Sequence, residues 1–98
     1  MSYREKSLWN DKNEIRCLLI LKKLQVEGFP RAKQKEYWLE MAKVTNLTAG
    51  SISAKICNYK SLFGINNPSN CSTNTIKIYN SYKDYSIESL KNIYEELK

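Results

Sequence analysis

The amino-acid sequence predicts an all-α fold: a compact five-helix domain with a helix-turn-helix-like pair at helices 2 and 3. Three observations lead there. Apolar residues recur every three or four positions in several separate segments, the period of a half-buried helix. Gly28 followed by Phe29-Pro30, Asn46, and the Gly/Asn/Pro/Ser-dense stretch after Gly64 punctuate those segments at helical lengths. The chain has 98 residues and is 42% apolar. That suffices for one core burying roughly 60–65% of the unfolded surface without metal or disulfide staples.

Residues 1–8 read as a short N-terminal arm, leaving 9–98 as one helical domain. Asp11, with Glu14 three residues on, has capping-box spacing and takes the N-cap role. Ile15, Leu18, Leu19, Leu21 and Leu24 form a wide apolar stripe, and Gly28 is placed to end the helix in the left-handed conformation. Helix 1 is therefore predicted over 11–27, with Trp9 ahead of the cap and positioned to staple onto the first turn. Helix 2, over 32–45, has Tyr37, Trp38, Met41, Ala42 and Val44 as its buried side, and Asn46 as its stop. Thr48 caps helix 3, over 49–61. Ile52, Ile56 and Tyr59 face the core, which leaves Ser51, Lys55 and Asn58 as a polar stripe predicted to stand in solvent. Residues 64–73 read as a loop. The segment over 73–83 is two-sided: IKIY alternates like a strand, whereas Ile76, Tyr79 and Lys83 suit a helix. The helical surroundings favour the helix. Ser86 caps helix 5, over 86–97, on Ile87, Leu90, Ile93, Tyr94 and Leu97.

Composition narrows the function classes. The chain has no histidine, which excludes His-based acid/base catalysis, His-activated nucleophiles and His metal ligation. Its three glycines are too far apart for a phosphate-cradling loop. Cys17, Cys57 and Cys71 fit neither a disulfide framework nor a zinc motif, so a reduced, cytoplasmic setting is expected. The opening residues are polar and charged, unlike a secretory signal, and no apolar run approaches the length of a membrane span. The acid pairs Glu36/Glu40 and Glu95/Glu96 have no second functional group opposite them. The expectation is a non-catalytic chain with no cofactor and no metal.

Charge points to a partner. Sixteen Lys+Arg against ten Asp+Glu give +6. Residues 31–63 hold six bases and two acids, and no acid occurs between Glu40 and Asp84. A polyanion meets least repulsion there. Two helices joined by a short turn, the second bearing Ser51, Ser53, Lys55 and Asn58, outline a groove-reading unit. Lys43, Lys55 and Lys60 would neutralise phosphates. Thr48, Ser51, Ser53 and Asn58 would approach phosphate or base edges. The same pattern also arises in a plain helical hairpin, where Ser, Lys and Asn simply face water. Of the aromatics, Tyr59 and Tyr82 are the candidates for base stacking.

The run Gly50-Ser51-Ile52-Ser53-Ala54-Lys55-Ile56-Cys57-Asn58-Tyr59, followed by Leu62, resembles a pattern in the small N-terminal helical domain of HNH-family restriction-type endonucleases. Trp9, Glu14 and Leu18–Leu21 match that domain's opening, and Tyr79/Tyr82 and Leu90/Ile93 its later helices. Without histidine the chain cannot carry the HNH motif, and Asn46, Leu47 and Thr48 stand where the family often has an Arg. The resemblance implies a free-standing recognition domain from a bacterial or phage defence locus, acting on duplex DNA. The competing expectation is a small adaptor or inhibitor that binds a nuclease or host factor. Oligomeric state is open.

Overall fold

The structure is a computed structural model and describes residues 9–65 and 71–97. The arm over 1–8 and positions 66–70 of the predicted loop lie outside the described residues. Five helices follow in order: α1 (Asp11–Glu27), α2 (Arg31–Thr45), α3 (Ala49–Leu62), α4 (Thr73–Tyr82) and α5 (Ile87–Glu96). No strand occurs among the described residues, so the segment over 73–83 is helical.

The central helix is α1, which packs against each of the other four. It can do so because it is apolar almost all round: Ile15, Cys17, Leu18, Leu19, Ile20, Leu21 and Leu24 are all buried. Around it, α2 packs on α3 and α3 on α4, while α5 lies on α1. Met41, Leu47, Ile52, Ile56, Tyr59, Ile78 and Leu90 complete the core from these neighbours. No helix among the described residues is long and apolar enough to cross a membrane.

The helix ends follow local chemistry. Gly28, at φ 82°, ends α1 with its N–H on the Leu24 carbonyl, and Asn46, at φ 63°, ends α2. Thr48, Ser72 and Ser86 each cap the following helix by accepting from the backbone N–H three residues on. Lys22 reaches from α1 to the α4–α5 turn, donating to the carbonyls of Lys83 and Tyr85 at 2.6 Å each. Partial burial pulls its ammonium below the usual lysine value, and Asp84 opposes that. This cation therefore pins a turn.

Two local expectations are corrected, at the N-cap of α1 and on α2. The N-cap of α1 is Asn10, whose Oδ1 accepts from the Asn13 N–H at 2.9 Å; Asp11 is the first helical residue. Val44 is 63% exposed, because α2 turns only Met41 fully inward. On α4 the inward residues are Asn74, Thr75 and Ile78, and Ile76 faces out. Trp9 reaches α3, where its indole N–H donates to Ser51 Oγ at 3.2 Å.

Candidate nucleic-acid interface

Of the predicted stripe, the Lys55 side chain turns into the protein, while Ser51 and Asn58 are half-buried. Lys55 lies 3 residues after Ile52 and 4 before Tyr59, so it borders the apolar seam of α3 and is carried inward with it. Its side chain is only 11% exposed. The ammonium is 3.5 Å from Glu14 Oε2, donates to Thr75 Oγ1 at 3.0 Å, and sits 4.7 Å from the centre of a Trp9 ring.

Glu14 is the centre of this network and is wholly buried. Its Oε1 accepts from the Tyr59 hydroxyl at 2.7 Å and the Thr75 hydroxyl at 2.8 Å. Its Oε2 has no hydrogen-bond donor among the described residues, so the charge there is balanced by Lys55 through space. Thr75 spends its one hydroxyl proton on Glu14, so Ser72 Oγ is the donor in its 2.9 Å contact with Thr75 Oγ1. One carboxylate thus ties α1, α3 and α4 together. An ion pair in this setting is held by mutual attraction against a large desolvation cost, so each partner depends on the other.

This corrects the sequence-based picture of a solvent-facing lysine at 55. Of the other candidates, Ser51 is half-buried and accepts from Trp9. Asn58 is half-buried, with the Cys71 thiol 3.6 Å from its carbonyl oxygen. Thr48 is exposed and caps α3. Lys43 is exposed near the end of α2. Lys60 is half-buried, its ammonium 5.1 Å from the centre of the Phe29 ring. Ser53 is half-buried on the α2 side of α3, in a groove shared with Lys35, Trp38, Leu39, Ala49 and Gly50. Tyr59 is fully buried and offers no face for a base, and Tyr82 packs edge-on against Tyr85 with centroids 5.1 Å apart.

The outward face of α3 is a different set of residues. Gly50, Ala54 and Cys57 are exposed at i, i+4 and i+7, with Ser53 and Lys60 beside them. All but Lys60 are small. Lys35 flanks the N-terminal end of this face and Lys60 its C-terminal end. Residues 46–48 join α2 to α3 with one left-handed residue, Asn46. The sequence contained a signal for the buried acid: Glu14 is in register with Cys17, Leu18 and Leu21, so it occupies the apolar stripe itself.

The three thiols differ sharply in setting. Cys17 is wholly buried beside Met41, its Sγ 3.7 Å from the thioether. Burial pushes its thiol far above the usual value, and the Glu14 carboxylate adds to the rise. Cys57 is exposed. Iodoacetamide applied to the native protein is therefore expected to modify Cys57 first and Cys17 only after unfolding. Peptide mapping by mass spectrometry reads this directly, and equal labelling of the two would contradict the packing of α1. No family model matches the chain, and no curated protein or solved structure is significantly similar to it.

Proposed function

We propose that the chain is a non-catalytic DNA-binding module that lays the outward face of α3 against the duplex. The observation that carries this reading is the makeup of that face. Gly50, Ser53, Ala54 and Cys57 let the helix backbone approach closely, and Lys35 and Lys60 lie at its two ends to meet phosphates. The charge map supports it. Residues 41–83 contain no acid, so nothing on α3 repels a polyanion. Lys43 adds a cation at the turn before α3. The resemblance of residues 50–62 to the recognition domain of HNH-family endonucleases supports the same partner. Lys55 and Ser51 are not contacts in this reading: they hold α3 at the angle at which its other face is presented.

The test is a salt titration of duplex binding by fluorescence anisotropy. Each lost phosphate contact lowers the slope of log affinity against log salt by about 0.9. Lys35→Gln combined with Lys60→Gln is expected to reduce the slope by about 1.8 and to weaken binding at low salt. If affinity and slope both stay at the starting values, the α3 face is not the site.

A further inference from the structure

Helices α2 and α5 both lie against α1 but form no packed interface with each other. The seam between them is a groove whose floor is α1. Two adjoining cavities, of about 190 and 370 Å³, run along it, and Arg16 and Tyr94 line both. The first has the apolar floor Leu19 and Ile20, with Tyr37 on one wall and Tyr94 on the other. The second continues toward the start of α1 past Lys12, with the 63% exposed Val44 on its α2 wall. From Lys12 to Lys23 the floor is about 16 Å long, the length of a helix of about 11 residues.

Cations outnumber acids here. Lys12, Arg16, Lys23 and Lys91 line the groove against Glu40 and Glu95. Arg16 is the most telling. Its side chain is 20% exposed, and its guanidinium donates to the Tyr94 hydroxyl at 2.6 Å and meets Glu40 only loosely at 3.9 Å. Lys12 and Arg16 both sit over the Tyr94 ring, and Lys23 over Tyr37, so the aromatic walls hold the cations at the groove. Most of the five N–H donors of Arg16 have no acceptor among the described residues.

We infer that this seam is a docking groove for an acidic amphipathic helix of a partner protein, separate from the α3 face. The occupant follows from the chemistry. An apolar ridge would lie on the half-buried Tyr37 and Tyr94 and the exposed Val44, above the buried Leu19 and Ile20, and carboxylates along its edges would meet Arg16, Lys23 and Lys91. A nucleic-acid backbone has no apolar ridge to match that lining.

The test uses two fluorescein-labelled synthetic peptides of about 14 residues. One carries Leu on one face and Glu on the other; the second has Lys in place of every Glu. Anisotropy is expected to show saturable binding of the acidic peptide alone. Lys23→Glu with Lys91→Glu, both on the rim, is expected to weaken it roughly ten-fold or more. Lys35→Gln with Lys60→Gln should leave it unchanged, which separates this groove from the DNA reading. In the unsubstituted protein, amide shifts on peptide addition should cluster at 12–23, 37–45 and 91–95. The inference is overturned if the acidic peptide fails to bind, if both peptides bind alike, if the shifts fall on α3, or if duplex DNA displaces the peptide.

Discussion

Lys55→Met is expected to destabilise the protein by about 3–5 kcal/mol. The substitution keeps most of the side-chain volume and removes only the charge, so the loss reports on what is left behind. Glu14 would remain wholly buried with an oxygen that has neither a donor nor a countercharge. For a domain whose whole stability is about 5–15 kcal/mol, that is a large fraction. Adding Glu14→Gln should recover much of the loss, because the amide oxygen still accepts from Tyr59 and Thr75 while the stranded charge is gone. Urea unfolding of the parent, the single and the double variant measures this. A single variant within about 1 kcal/mol of the parent would match a lysine in water, and Lys55 would return to the surface.

The second large effect is at the central helix. Leu18→Ala should cost about 3–5 kcal/mol. Leu18 is fully buried, and α1 is packed on by α2, α3, α4 and α5. No neighbour can move into the vacated space without leaving contacts elsewhere, so the cavity term stays high. The melting temperature should fall by at least about 12 °C, followed by circular dichroism. Val44→Ala on α2 is the control. At 63% exposure it should change stability by less than about 0.5 kcal/mol. A Leu18→Ala loss as small as that control's would mean that α1 is not the core helix.

The two stability experiments bear on the functional readings as well. Lys55 and Trp9 brace the inner side of α3, and the face proposed for DNA is the other side of the same helix. Weakening the brace should therefore lower DNA affinity without altering the salt slope, since no phosphate contact is removed.

Helix positions were legible because they depend on neighbours in the chain. Caps such as Thr48 and Ser86, left-handed stops at Gly28 and Asn46, and the spacing of Ile52, Ile56 and Tyr59 are local features. A one-residue displacement of a cap, as between Asp11 and Asn10, is the size of error local reasoning makes, because both side chains suit the role.

The sequence by itself determined five helices, their ends to within one residue, the inward face of α3 and the excess of positive charge over 31–63. Only the tertiary structure decided which charges are spent on partners within the fold. Lys55 and Lys22 read as surface, and Glu14 reads as part of the apolar stripe with nothing to say what pairs it; each meets a partner on a distant element: Glu14 for Lys55, the α4–α5 turn for Lys22, and Tyr59 and Thr75 for Glu14. Periodicity tells which side of a helix is apolar. Whether a charge at the border of that side turns in or out depends on a countercharge tens of residues away, and nothing local encodes that distance.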